Sequence, residues 1–283
     1  MSSEPRYDVC VVGAGLLGLA TAHALTAMLP GVSILVLDKE SQIAAHQSSH
    51  NSGVVHSGLY YKPGSLKARL CVEGRDAVYE VCEAEGIPVE RSGKLVIATE
   101  PGEIPALDEL ERRGRANGLV GLTRLGPDGI KDHEPAATGI DALYVPEAGV
   151  ADFPALAAHL SERLRKAGAE VRLGREVTAI GHSIDGVDVT AGDDTYRTRS
   201  LVNCAGLHCD RVAALAGVSS PVKIIPFRGE YYELVEGRRD LVRGLIYPVP
   251  DPRFPFLGVH FTRTVDGMIE AGPNAVLALK REG

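Results

Sequence analysis

The pattern Gly13-Ala14-Gly15-Leu16-Leu17-Gly18 follows an apolar, β-branched run at residues 7–12 and opens a helical pattern at 16–29. A second apolar run, residues 32–37, ends at Asp38, twenty residues after Gly18. Neither run alternates polar with apolar residues, as expected of parallel strands buried on both faces. Strand, glycine turn, helix, strand and acid together make a βαβ unit with a dinucleotide fingerprint. Gly13 permits the tight turn, Gly15 lets the backbone approach a diphosphate, and Gly18 lets the helix pack on the strand. The helix N-terminus, with the amides of Ala14 and Leu16, offers a positive dipole end to phosphate oxygens. Asp38 is placed to hydrogen-bond ribose hydroxyls, with Lys39 beside it. The pattern by itself does not choose between a nicotinamide and a flavin dinucleotide.

A length of 283 residues suits one large domain or two ordinary ones. The net charge of −7 argues against non-specific nucleic-acid binding, which needs a positive field. The five cysteines, Cys10, Cys71, Cys82, Cys204 and Cys209, show no CxxC spacing, and Cys10 and Cys204 sit in apolar runs where a free thiol packs as a small hydrophobe. A reducing, cytoplasmic setting fits. Outside the fingerprint helix no stretch approaches the length of a membrane span, and peripheral contact at the inner face of a membrane stays compatible with the sequence. The spacing of His46, His50 and His56 is too loose for zinc, so no metal is expected.

Residues 42–62 are rich in Ser, His, Asn and Gly and read as a long functional loop. Helices are expected at 65–85, 104–117 and 153–166, and strands at 94–99, 170–173, 176–180, 187–190, 196–198 and 201–204. Beyond Gly217 the texture changes to strands at 222–235, 244–248, 256–262 and 268–271, which suggests an antiparallel sheet. The expected class is α/β: a Rossmann-like dinucleotide domain with a parallel sheet, and a second α+β domain built on an antiparallel sheet. The first domain is assigned residues 1–85 and 150–217, the second 86–149 and 218–283.

The polar loop His46-Gln47-Ser48-Ser49-His50-Asn51-Ser52-Gly53-Val54-Val55-His56-Ser57-Gly58 comes directly after the second strand, where a nicotinamide-binding domain usually enters its next crossover. The run 46–71 (HQSSHNSGVVHSGLYYKPGSLKARLC) resembles the L-2-hydroxyglutarate oxidase/dehydrogenase family, as do 224–234 (IIPFRGEYYEL), 245–263 and 272–283. The resemblance covers essentially the whole chain. It implies FAD as cofactor and oxidation of (S)-2-hydroxyglutarate to 2-oxoglutarate, with oxygen or a quinone-linked chain as final acceptor. It also implies a longer chain than this one, so a C-terminally truncated product with an incomplete second domain is expected. An amino-acid or glycerol-3-phosphate oxidoreductase, or an inactive fragment, are the alternatives. The oligomeric state is not legible.

Under that resemblance the loop residues Ser48, Ser49, His50, Asn51 and Ser52 wrap the cofactor, Val177 meets the adenine, and Cys204, Ala205 and Gly206 allow close approach at a strand end. Oxidising a hydroxy acid calls for a base, for which histidine suits neutral pH; His50, His56 and His260 are the candidates, with His260 and His56 preferred. A dicarboxylate invites arginine, whose planar fork pairs with carboxylates. Arg228 and Arg263 are the expected anchors, and Tyr231 and Tyr247 the expected hydroxyl partners. Lys62, Lys67 and Arg69 are weaker candidates.

Overall fold

The computed structural model describes residues 6–251, 253 and 258–282. In chain order it runs β1 (Arg6–Val12), α1 (Leu16–Met28), β2 (Ile34–Leu37), β3 (Val54–Val55), α2 (Leu66–Glu85), β4 (Val89–Glu90), β5 (Lys94–Ala98) and α3 (Ile104–Ala116). It continues through β6 (Thr123–Leu125), α4 (Pro127–His133), β7 (Asp141–Val145), β8 (Gly149–Ala151), α5 (Phe153–Lys166), β9 (Glu170–Arg172), β10 (Val177–Ser183), β11 (Gly186–Ala191) and β12 (Asp194–Asn203). The last elements are α6 (Cys209–Leu215), β13 (Phe227–Glu233), β14 (Leu245–Pro248), β15 (His260–Arg263) and β16 (Ile269–Leu277). The chain divides into two compact units. The first takes Met1–Asn51, Phe153–Pro226 and Leu279–Gly283; the second takes Ser52–Asp152 and Phe227–Ala278.

The first unit is the α/β part. Among the described residues its sheet has six strands in the order β10-β11-β12-β1-β2-β9. β12, β1, β2 and β9 run parallel, while β10, β11 and β12 form an antiparallel meander. Val9, Val11, Ile34 and Val36 face one core with Leu19 and Ala22 of α1 and Ala157 and Leu164 of α5. Cys10, Val12, Leu35 and Leu37 face the other, with Val212 of α6. Burial on both faces is why β1 and β2 read as unbroken apolar runs. The sequence reading makes two strands of residues 196–198 and 201–204; the structure joins residues 196–203 in one strand, β12, whose partners on both sides hold its polar positions in register.

The second unit holds a seven-stranded sheet among the described residues, ordered β13-β16-β15-β14-β5-β7-β6. It is antiparallel except at the β14·β5 pair, whose strands come from distant segments of chain and need no hairpin. α3 packs on one face through Leu107 and Leu110, and α4 on the other through Ile130. The expected first domain boundary, after 85, falls instead after Asn51, because α2 packs through Tyr79 in the second unit, where its hydroxyl donates to the Glu147 carbonyl. The strand expected from 222 begins only at Phe227. Of the strand expected at 256–262, residues 256 and 257 lie outside the described residues, and β15 starts at His260.

Glu134, buried at the end of α4, staples this sheet. Its carboxylate accepts from the Arg243 amide at 2.9 Å and from the Gly244 amide at 2.7 Å, just ahead of β14. Removing the acceptor would leave two peptide donors without partners. Glu134→Ala is therefore expected to cost about 2–4 kcal/mol, and Glu134→Gln, which keeps an acceptor oxygen, clearly less. Urea unfolding of the two variants checks the order.

Candidate functional site

The first unit builds its site where β1 turns into α1. Gly13 sits at φ +111°, and a Cβ there would lie 2.3 Å from the Cys204 carbonyl oxygen on the adjacent strand end. A Cβ on Gly18 would lie 1.8 Å from the Gly13 carbonyl oxygen. The corner is thus closed by backbone against backbone. Gly15, the extended residue just before α1, brings no side chain to cap the helix, and a Cβ on it would come within 3.0 Å of Ser48 Oγ. Hydrogen bonds fix the rest: the Gly13 amide donates to the Leu37 carbonyl, the Ala14 amide to Asp38 Oδ2 at 2.6 Å, and the Leu16 amide to Ser48 Oγ at 3.0 Å. Asp38 also accepts from the Glu40 amide through its other oxygen.

This corner forms one wall of a cavity of about 1050 Å³ that lies wholly within the first unit. Of the residues expected to hold a cofactor, Gly13, Gly15, Leu16, Asp38, Lys39, Ser48, Asn51, Val177, Cys204, Ala205 and Gly206 line it. Ala14 and Gly18 stand behind the wall, the first fully buried, the second against Gly13. Ser49 and His50 do not line it: their side chains turn back to the carbonyls of Ala44 and His46. Ser52 belongs to the other unit. The sequence reading missed Arg175, His46, His208 and Glu282, which also line the cavity. Glu282 Oε1 meets Lys39 Nζ at 2.8 Å and His208 Nε2 at 2.6 Å. Lys39 and His46 beside Glu40 hold that carboxyl down at about 2. Glu40, His46 and Glu282 can bring one ligand atom each within 4.8 Å of one another, and the Lys39 ammonium, paired with both carboxylates, already supplies a positive charge there.

An FAD fits these residues. Its diphosphate needs a corner free of side chains at a helix N-terminus, and Gly13 and Gly15 leave it open. The cavity matches the upper end of the size range of small-molecule sites, about 1000 Å³. Val177, expected to meet the adenine, and the Cys204–Gly206 strand end, expected to allow close approach of the cofactor, are among its lining residues.

The second unit carries a buried polar column on one face of its sheet. His260 is 5 % exposed; its ring stacks on Tyr247 with centroids 3.9 Å apart and planes 15° from parallel. Its Nδ1 lies 2.9 Å from the Gly258 carbonyl, which can only accept, so Nδ1 carries the proton and Nε2 keeps its lone pair. Burial, and the positive charge of Lys94, lower the His260 pKa. Burial first, then the charges of Lys94 and His260, bring His56 down to about 4. Tyr231 reaches this face at a bulge in β13: its ring covers Gly272, the cross-strand partner of His260, at a spot where a Cβ would collide with it at 2.6 Å.

The expected arginines are not on this face. Alternation along β15 turns His260 and Thr262 inward and sends Arg263 to the opposite side, as the burial of the strand records. Arg228 stands on the exposed edge strand β13, its guanidinium paired with Glu230 at 3.1 Å and 2.5 Å. Lys94, which the sequence reading passed over, takes their place as the cation near His260. It is 1 % exposed, and its Nζ lies 4.4 Å from the centre of the Tyr60 ring and 4.8 Å from that of Tyr247, with no hydrogen-bond acceptor among the described residues. A lysine opening the otherwise apolar run KLVIA was the available signal. Burial lowers its pKa to about 7.

A family model described as FAD dependent oxidoreductase matches residues 8–281. The L-2-hydroxyglutarate dehydrogenase of Indibacter alkaliphilus is 46 % identical over 98 % of this chain and 70 % of its own length. The mitochondrial L-2-hydroxyglutarate dehydrogenases of Caenorhabditis elegans and Homo sapiens are each 45 % identical, over 99 % and 100 % of this chain and 66 % and 64 % of their own lengths. The chain therefore spans about two thirds of the curated relatives it matches. Among solved structures, the L-alpha-glycerophosphate oxidase of Mycoplasma pneumoniae with FAD bound superposes with a TM-score of 0.86 at 23 % identity, covering 98 % of this chain and 73 % of that one. The L-proline dehydrogenase of P. horikoshii gives 0.85 at 17 %, covering 98 % and 72 %. These two likenesses concern the fold.

Two outcomes follow from the geometry. Gly13→Val, with its side chain driven into the Cys204 carbonyl, is expected to yield a colourless chain, read as loss of the flavin absorbance band on purification. Lys94 sets a pH dependence of stability. Its usual value is 10.5 and its folded value about 7, so between these the unfolded chain holds more protons. Stability is expected to rise with pH through that window. Urea midpoints of the wild type should climb from pH 7 towards 10, and those of Lys94→Met, which has no proton to lose, should lack this rise.

Proposed function

The chain belongs to the FAD-dependent oxidoreductase family, within its L-2-hydroxyglutarate dehydrogenase group, and from that premise we propose that it oxidises (S)-2-hydroxyglutarate to 2-oxoglutarate. The observation that carries the reading is identity of 45–46 % to curated L-2-hydroxyglutarate dehydrogenases along nearly the whole of this chain. Bound FAD supplies the two-electron acceptor for the hydride leaving the substrate Cα.

The residues of the second unit handle the proton. Oxidising a secondary alcohol releases a hydride from carbon and a proton from oxygen. The proton needs an acceptor that is unprotonated near neutral pH. His260 meets this requirement: Nδ1 is committed to the Gly258 carbonyl, burial disfavours the imidazolium, and Nε2 keeps its lone pair. His56, held neutral by the same burial, is the second group able to take a proton. The Tyr231 hydroxyl supplies a donor for the substrate. Reoxidation of the flavin falls to oxygen or to a quinone-linked chain; with the latter the protein works in peripheral contact with the inner face of a membrane. Among the described residues no helix is long and apolar enough to cross one. Amino-acid and glycerol-phosphate substrates draw support from fold likeness alone.

The test is anaerobic mixing of the flavin-loaded chain with (S)-2-hydroxyglutarate. Bleaching of the flavin band with stoichiometric 2-oxoglutarate is expected, and its absence with this substrate overturns the reading. Loss of a positioned base typically costs about 10²–10⁴-fold; His260→Asn should slow reduction in that range while the purified protein stays yellow.

A further inference from the structure

Lys94 enters the sheet face beside the two histidines with no ion-pair partner among the described residues. Its Nζ lies over the rings of both Tyr60 and Tyr247. Tyr247 belongs to β14, which lies between β5, carrying Lys94, and β15, carrying His260. One aromatic ring therefore serves an ammonium from the β5 side and stacks on an imidazole from the β15 side. The titratable groups around this column come from six elements besides β5. α2 contributes Cys71 and Arg75, the segment after β3 contributes His56, Tyr60 and Tyr61, and β14 and β15 contribute Tyr247 and His260. β13 adds Tyr231, and β16 adds Glu270, which pairs with Thr262 across the strands and so shares its face; Glu270 is the one carboxylate in this set, and burial raises its pKa. Cys71 donates through Sγ to the His56 carbonyl, and Arg75 to that of Ser57, so both hold the backbone of the His56 segment.

A buried cation without a paired carboxylate among the described residues acts on whatever can be charged next to it. Protonating His260 or His56 would place a second positive charge on the same side of the sheet, in a region from which water is excluded and the repulsion is poorly screened. The like-charge effect of Lys94 reaches both imidazoles and has the same sign at both. Resting on the reading of His260 as the proton acceptor, we propose that Lys94 is a positioning residue that keeps His260 and His56 in the neutral form. It leaves the Nε2 lone pair of His260 free for a hydroxyl proton, and does so through Tyr247 rather than by touching the substrate.

The column also explains why a lysine serves here. An arginine would keep its charge at any pH, and its fork demands several acceptors that this apolar setting lacks. An ammonium needs only the faces of two aromatic rings. The Lys94 amine loses its proton near neutrality, so its effect on the histidines is strongest on the acid side of pH 7, which is where they would otherwise be protonated.

The experiment is an imidazole titration of the full chain labelled with ¹⁵N-histidine, in the wild type and in Lys94→Met and Lys94→Gln, with His260→Asn used to assign the His260 signals. Removing the charge should raise the His260 protonation midpoint by about half a pH unit or more, a roughly threefold change in its proton affinity. The acid limb of the flavin-reduction rate with (S)-2-hydroxyglutarate should move up by the same amount. Two neutral variants are used so that a packing defect in one does not decide the matter. An unmoved His260 midpoint in both, with unchanged near-ultraviolet circular dichroism, overturns the proposal even if the wild type oxidises the hydroxy acid. A raised midpoint in a chain that does not reduce its flavin with this substrate upholds the electrostatic coupling and overturns the substrate reading instead.

Discussion

Backbone can meet a diphosphate only where side chains stay away, and in the first unit this exclusion is enforced by how closely β1, α1 and the end of β12 approach one another. Gly13 lies under the Cys204 carbonyl, Gly18 under the Gly13 carbonyl, and neither position tolerates a Cβ. The corner holds its shape because Asp38 and Ser48 accept its outward amides and Leu37 its inward one. The parallel order β12-β1-β2-β9 then follows, since β2 must deliver Asp38 and β12 must deliver Cys204 to the same end of the sheet. Asp38 has a double part: expected as a ribose ligand, it also pins the turn that carries the phosphate site.

The second unit answers a different constraint. A sheet face that buries Lys94, Tyr247, His260 and Thr262, with half-buried Tyr60 packed on it, gives up apolar burial and leaves Lys94 Nζ, Tyr60 Oη and Thr262 Oγ1 without hydrogen-bond partners among the described residues. Leu107, Leu110 and Leu245 on the same side, with Leu95, Ile97 and Ile130 on the reverse, supply the hydrophobic stabilisation that offsets it. Local rules broken in one patch of an otherwise consistent core are the mark of a site.

The first βαβ unit was legible because its signal is local: glycine spacing, two apolar strands and a terminal acid within forty residues. Membership of the FAD-dependent oxidoreductases was legible from the run at 46–71 and is borne out by the family model over 8–281. The unit boundary at Asn51 was not, because α2 has the composition of any amphipathic helix and only its packing through Tyr79 assigns it. Arg263 looked suited to a carboxylate because it follows His260 closely in sequence. The period of a strand, however, turns residues three apart to opposite faces. Arg228 was attractive as a charge near a glycine, and sequence could not show Glu230 folded back onto it along an edge strand. Lys94 escaped notice for the converse reason: apolar neighbours made the run read as core, and its partners Tyr60 and Tyr247 are distant in sequence.

If the side-chain-free corner at Gly13–Gly15 receives the cofactor's diphosphate at the start of α1, recognition rests on the linked phosphates and adenosine more than on the flavin ring. Titrating the flavin-free chain with FAD, FMN and riboflavin, with ADP as competitor, measures this directly by flavin fluorescence. Tight binding of FAD alone, displaced by ADP, is the result this structure predicts. Equal binding of FMN or riboflavin, or indifference of bound FAD to ADP, would contradict it.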